Sequence, residues 1–280
     1  MPYAHKVTPG KKAKLGDYSP NADDGLNKDE GKKRFAKLNA ELDVMQEELY
    51  AAGKHSVLLV LQGMDTSGKD GTIRSVLLNL NPQGVRVESF KVPTEEELAH
   101  DFLWRIHKVT PRKGEFGVFN RSHYEDVLVV RVHELVSKDV WKARYEQINQ
   151  FEALLAASGT IIIKAFLHIS QDEQEKRLLE REQDVTKAWK LSAGDWRERG
   201  YWDAYMEAYE DALTRCSTDI APWYIIPANK KWFRNLAVSE VLVDILRGYR
   251  DTWHETLDAM SKARLTELQE YRASLAKPAK

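Results

Sequence analysis

The chain has 280 residues, 42% of them hydrophobic and 10% aromatic, which is enough apolar material for one large domain or two small ones. Lys and Arg number 42 against 43 Asp and Glu, and a formal charge of -1 argues against a nucleic-acid coat or a membrane-surface protein. The lone Cys216 excludes a disulfide framework and a cysteine-rich zinc site, and no apolar run reaches the roughly 20 residues of a spanning helix, so a cytoplasmic protein is expected.

Residues 1–25 are polar and punctuated by Pro9, Gly10, Gly16, Pro20 and Gly25, which predicts an extended or loosely packed arm. Phe35, Leu38, Leu42, Met45 and Leu49 recur at helical spacing, predicting an amphipathic helix over 31–50 that Gly53 ends. Ser56 to Leu61 reads SVLLVL, a short continuous apolar run that suits a strand buried on both faces of a parallel sheet. A glycine-bearing turn at 63–71 and a helix over 71–80 follow. Residues 85–90 form a second strand, and Thr94 with three glutamates opens a helix running to about 108.

A third strand is expected at 116–119, helices at about 124–133 and 138–157, and a fourth strand at 160–167. A charged helix covers 171–183. The polar stretch 183–200 has few apolar anchors. A helix over 201–214, a fifth strand at 223–226 and a helix over 232–247 complete the alternation. Strands alternating with helices predict a three-layer α/β/α sandwich around a parallel sheet. Residues 250–275 read as a partly amphipathic helix, a packing or oligomer element.

Gly63-Met64-Asp65-Thr66-Ser67-Gly68-Lys69 fits G-x-x-x-x-G-K between a buried strand and a helix. Glycines in such a turn let backbone N–H groups face an anion, and the helix adds its positive end. Lys69 would reach the transferring phosphate. Asp70 stands where a magnesium-binding Ser or Thr is usual, so the metal role must move, and Asp65 inside the loop is the obvious candidate. The strand at 116–119 runs into Asn120-Arg121-Ser122-His123-Tyr124-Glu125-Asp126. The planar fork of Arg121 suits an oxyanion clamp, and Glu125 or Asp126 could supply the negative charge that Asn120 lacks.

These two segments resemble the second family of polyphosphate kinases. Val92-Pro93-Thr94-Glu95-Glu96-Glu97-Leu98, Phe102-Leu103-Trp104-Arg105, Trp189-Lys190, Ala221-Pro222-Trp223-Tyr224 and Ile226-Pro227-Ala228-Asn229-Lys230 fit the same family, in order, over roughly residues 30–248. The resemblance implies a thymidylate-kinase-like P-loop kinase fold over 26–248 with a lid at about 184–200; the arm (1–25) precedes it and the tail (249–280) is outside the resemblance. It implies magnesium-dependent transfer, with Mn2+ able to substitute, of the terminal phosphoryl group of inorganic polyphosphate onto a nucleoside mono- or diphosphate. AMP, ADP, ATP and guanine nucleotides are the expected partners, and a homo-oligomer is the expected assembly.

Carried over by motif, Asp65 is the loop acid and metal ligand, Lys69 the phosphate lysine, Arg121 the second-motif arginine and Glu125 the relocated acid. Asn120 together with Glu125 resembles the class acting on both AMP and ADP. Gly63, Thr66, Ser67, Gly68, Lys69, Asp70 and Gly71 would cradle phosphate. Lys54, Arg74, Lys91, Arg112 and Lys113 lie near predicted strand ends or adjoining helices and would complete a basic donor path. In the lid, Ala188 occupies a position that is often basic, leaving Lys187, Lys190, Arg197 or Arg199 to take the role; Trp189 and Asp195 join the expected lid and nucleotide set. Trp189 suits base stacking or lid packing equally. An ATP-dependent nucleoside monophosphate kinase and a non-catalytic nucleotide or polyphosphate sensor are the alternatives.

Overall fold

In a computed structural model, which describes residues 3–190 and 192–275 (the side chains of residues 187, 188 and 190 excepted), six strands build one sheet. They are β1 (His5–Lys6), β2 (Ser56–Gln62), β3 (Val85–Ser89), β4 (Phe116–Asn120), β5 (Thr160–His168) and β6 (Trp223–Pro227), in the order β1-β6-β5-β2-β4-β3. The five strands β2 to β6 are parallel, as their apolar runs and helical connections predict, and every residue of β2 and β5 is buried. Helices cover both faces. On one side α1 (Lys28–Ala52) packs on α10 (Lys231–Arg247) and α11 (Arg250–Leu275), and α10 also meets α2 (Lys69–Val76). On the other, α6 (Lys138–Ala157) packs on β5 and α9 (Trp202–Cys216).

The arm is the main correction to the expected architecture. It is embedded, and it makes the sheet mixed. Residue His5 pairs antiparallel with Ile225, and Val7 N–H donates to the Trp223 carbonyl at 2.8 Å. Tyr3, Val7, Ala13 and Leu15 are buried. Side chains satisfy the backbone where no strand does: Tyr3 N–H donates to Glu240, Ala13 N–H to Thr214 and Leu15 N–H to Glu210 at 2.7 Å. A Pro- and Gly-rich segment can be fixed in this way because these buried backbone groups find partners.

Two helices are shorter than their periodicity predicts. The helix over 95–108 is two single turns, α3 (Glu95–Leu98) and α4 (Trp104–His107). The Thr94–Glu97 capping box starts the first, and Asp101 draws the chain into a turn by accepting from Leu103 N–H at 3.0 Å. The segment expected to be helical over 124–133 is a 3-10 turn at 123–127 followed by α5 (Val129–Val132). Its first residues are drawn inward by buried polar partners. Between β5 and β6, α7 (Gln171–Glu182), a 3-10 turn at 185–190 and α8 (Ala193–Arg199) precede α9. The tail is held at its start, where fully buried Trp253 donates to His55 Nδ1 at 3.1 Å and Arg250 pairs with Glu48. Beyond residue 260 the helix is exposed.

Candidate active site

Register places every parallel strand's carboxyl end on one side. Ser89 lies opposite Asn120, Leu61 opposite Asn120, Gln62 opposite Phe166, and His168 opposite Pro227. The turns leaving β2, β3, β4, β5 and β6 therefore converge, at the position where open α/β sheets hold ligands. The turns after β2, β3 and β4, with the helices that follow β5 and β6, line a cleft of about 790 Å³.

The turn 63–68 wraps over the start of α2. Gly63, Thr66 and Gly68 all take positive φ values of 151°, 65° and 100°. Glycine is required twice for space as well as conformation. A Cβ on Gly63 would sit 2.7 Å from the Leu167 carbonyl oxygen, and one on Gly68 would sit 1.8 Å from an Arg234 nitrogen. Lys69 is buried, and its Nζ donates to the carbonyls of Gly63 at 2.7 Å and Met64 at 3.3 Å. Burial, with Arg121 adding repulsion, lowers its pKa to about 8 even though Asp65, Glu125 and Asp70 pull the other way.

Arg121 follows β4 in a left-handed backbone with φ 62°. Its fork spans two acids, with Nη2 2.5 Å from Asp65 and Nη1 3.3 Å from Glu125. Glu125 foremost, then Asp65, holds the guanidinium above its ordinary pKa against the cost of burial. The two carboxylates thus flank one cation. Among the described residues no three His, Cys, Asp or Glu side chains gather as a metal cage. Two hard oxygen donors at a phosphate cleft still fit magnesium, which takes one or two carboxylates and completes its octahedron with water and phosphate oxygens.

The two departures from the common motif meet each other. Asn120 Nδ2 donates to Asp70 Oδ1 at 2.8 Å. The neutral strand end and the acid after the lysine therefore form one hydrogen-bonded unit across the cleft floor.

The cleft unites Asp65, Thr66, Gly68, Lys69, Asp70, Gly71, Asn120 and Arg121 with Lys91 from the turn after β3, and with Trp189 and Asp195 from the segment over the mouth. Trp189 is 79% exposed. Asp195 pairs with Arg181 of α7 at 2.9 Å, and burial raises its pKa. Five of the expected basic residues lie outside the cleft. Lys54, Arg112 and Lys113 precede β2 and β4, at the amino ends of the strands, where Gly114 N–H donates to the His55 carbonyl. Arg112 and Lys113 border a separate hollow with Tyr50 and Gln83. Arg74 is exposed further along α2 and does not line the cleft. Arg199 turns away, donating to the Gln171 carbonyl at 2.6 Å and pairing with Glu175. The side chains of Lys187 and Lys190 lie outside the described residues.

Two arginines that motif reading passes over support the loop from below. Arg177 of α7 donates to the carbonyls of Thr66 at 2.9 Å and Ser67, and also to those of Ala228 and Asn229. Arg234 of α10 is 4% exposed, donates to the Ser67 carbonyl at 3.2 Å and lines the cleft. Burial, then Arg177, lowers its pKa to about 9. The signal for Arg234 was its place one turn into the helix after β6, the counterpart of the loop-bearing helix after β2. Lys231, at the start of α10, lines the same cleft. Cations outnumber carboxylates on these walls, so the cleft suits a polyanion.

Residues 25–252 match the family model described as Polyphosphate kinase 2. The chain is 54% identical over 249 residues to an AMP/ADP-polyphosphate phosphotransferase of Meiothermus ruber, covering 87% of this chain and 92% of that one. It is 43% identical to an ADP-polyphosphate phosphotransferase of Rhodopseudomonas palustris, over 95% and 96% of the two chains. Its fold superposes on the crystal structure of Polyphosphate Kinase 2 from Arthrobacter aurescens with a TM-score of 0.83 and 46% identity, covering 86% of this chain and 88% of that one. A phosphate loop with an acid after its lysine, an arginine between two carboxylates, and matches over nearly the whole length agree: the chain belongs to the polyphosphate kinase 2 family.

Proposed function

We propose that this protein is a polyphosphate:nucleotide phosphotransferase that moves the terminal phosphoryl group of inorganic polyphosphate onto AMP and ADP, reversibly and in line, with magnesium. The observation that carries the reading is the cradle itself: Lys69 at the start of α2, faced by Arg121 between Asp65 and Glu125. Phosphoryl transfer needs positioning and charge neutralisation more than covalent chemistry. Lys69 supplies a point charge to the transferring group, and the Arg121 fork grips its equatorial oxygens. Asp65 and Glu125 would hold magnesium, or Mn2+ in its place, which when bound would neutralise charge on the phosphate oxygens. Residues 184–200 act as a lid that excludes water and so limits loss of donor to hydrolysis. Guanine nucleotides are further acceptors, and the working form is a homo-oligomer in the cytoplasm.

An ATP-dependent monophosphate kinase on this scaffold is disfavoured by Asp70. The position that would offer a hydroxyl to magnesium is instead an acid held by Asn120. A matrix of AMP, ADP, GMP and GDP against polyphosphate and a nucleoside triphosphate donor tests the reading. Turnover with polyphosphate supports it; turnover with the triphosphate alone overturns it, and binding without product would make the protein a sensor.

Acceptor choice gives a finer test. AMP and ADP differ by one phosphate, so the acceptor's outer phosphate must be met at two depths, and magnesium with exchangeable waters adapts more easily than a fixed fork. Replacing Glu125 with asparagine is expected to lower kcat/KM for AMP about tenfold more than for ADP, a difference of about 1.4 kcal/mol in transition-state binding. Equal losses would assign Glu125 to the general metal site.

The depressed pKa of Lys69 gives a pH signature. Its ammonium is charged below about pH 8 and neutral above it, whereas an ordinary lysine stays charged to about pH 10. Because kcat/KM reports the free enzyme, its value for polyphosphate is expected to halve near pH 8 and then fall about tenfold per pH unit. A plateau extending to pH 10 would show that Lys69 keeps its charge.

A further inference from the structure

The turn that carries Arg121 and Glu125 is tied to a buried ion pair on the far side of the sheet strand. Ser122, His123 and Tyr124, which follow Arg121, are all 0% exposed. Gln62 donates to Ser122 Oγ at 3.2 Å. Tyr124 Oη donates to Glu152 Oε1 at 2.8 Å, and His123 Nε2 lies 3.2 Å from the same oxygen. Glu152 comes from α6 and its other oxygen accepts from Lys164 Nζ at 2.6 Å. Lys164 sits in the middle of the otherwise uncharged interior of β5 and spends its remaining donors on Tyr124 Oη at 2.9 Å and the Cys216 carbonyl at 2.6 Å. Burial alone would push the Glu152 carboxyl up, but Lys164, then His123, bring it below its ordinary pKa, so it stays charged.

Such a pair contributes little to stability over apolar side chains of the same volume, and removing one partner is strongly destabilising. What a fully bonded buried network does supply is direction. Here the direction is needed. Arg121 has a left-handed backbone, which costs energy for a residue with a Cβ and persists only where the surroundings over-determine it. Upstream it is held by its N–H donating to the Leu61 carbonyl at 3.1 Å. Downstream Gln62 holds Ser122, and the network, with the packing of His123 on Phe151 and Tyr124 on Trp223, anchors the two side chains after it.

We propose that Glu152 and Lys164, acting through Tyr124 and His123, are positioning residues that hold Arg121 in its left-handed backbone with its guanidinium between Asp65 and Glu125. The role rests on the phosphotransferase reading but touches no substrate itself. Misplacing a clamp by a fraction of an ångström lowers the rate of the chemical step and leaves binding largely intact.

Tyr124→Phe removes one of the network's two links to the turn, leaves His123 on Glu152 and keeps both charges, so it is the variant least exposed to misfolding. It is expected to lower kcat about tenfold with KM for the nucleotide within about twofold. Introduced beside Arg121→Lys, where the fork is already lost, it is expected to change kcat less than about twofold, because residues acting as one unit are non-additive. Glu152→Gln is expected to follow the same pattern where it folds. Equal losses in both backgrounds, a rise in KM with kcat unchanged, or no loss at all would overturn the positioning role. Amide exchange supplies a readout independent of turnover: the Arg121 N–H is expected to exchange about tenfold faster in Tyr124→Phe. Unchanged protection would overturn the inference, whereas an unaltered protein with no polyphosphate-dependent turnover would overturn the proposed function.

Discussion

Replacing Lys69 with alanine is expected to lower kcat by about 10²–10³-fold, the loss seen when one preorganised charge at a developing anion is removed. The variant should stay folded. Lys69 costs free energy to bury, as its lowered pKa records, and its two carbonyl partners, on Gly63 and Met64, border a cleft that water can enter. The loop keeps its amides and the positive end of α2, so polyphosphate should still bind more weakly rather than not at all. Initial rates with polyphosphate and ADP, together with a thermal melt, check this. Near-normal turnover in a folded variant would remove the phosphate-loop assignment.

Replacing Asp65 with asparagine is expected to cost about 10²-fold in kcat and to raise the magnesium concentration needed for half-maximal rate. The amide preserves size and one hydrogen-bonding oxygen. It removes the charge a hard cation requires, and it breaks the 2.5 Å ion pair with Arg121, leaving Glu125 as that fork's remaining acid. The two effects separate by titration. If the magnesium dependence is unchanged while kcat falls, Asp65 acts on Arg121 and the metal role passes to Glu125.

The parts of the site that lie within one short segment were legible in the sequence. The loop 63–71 and the segment 120–126 each carry their spacing, their turn residues and their flanking strand in a single window, and the structure brings them face to face through Asn120 and Asp70. The parts contributed by distant helices were not. Arg177 and Arg234 act because α7 and α10 abut the loop from below, a fact of tertiary packing with no local mark. The misplacement of Lys54, Arg112 and Lys113 has a simple cause. They lie near strand ends, but they precede their strands, and in a parallel sheet every strand begins on the side away from the ligand. Among the elements, β1 is too short to show any periodicity, and the break between α3 and α4 comes from one side-chain turn at Asp101 that helical spacing of Phe102 and Ile106 conceals.

The strand β1 also sets an order of events during synthesis. His5 is made before any other strand of the sheet, yet its partner Ile225 is 220 positions later. At about 5–20 residues per second the ribosome leaves the arm waiting roughly 10–45 s for its place in the sheet. During that interval the four strands β2 to β5 can assemble in turn, while Tyr3 and Val7, buried in the finished protein, have no core to enter. When β6 emerges it is the last parallel strand, and its outer edge is closed by the strand made first. Protection of that edge against pairing with a neighbouring nascent chain therefore arrives only after β6 has been made, by a contact of very high sequence separation, the kind that forms late in folding.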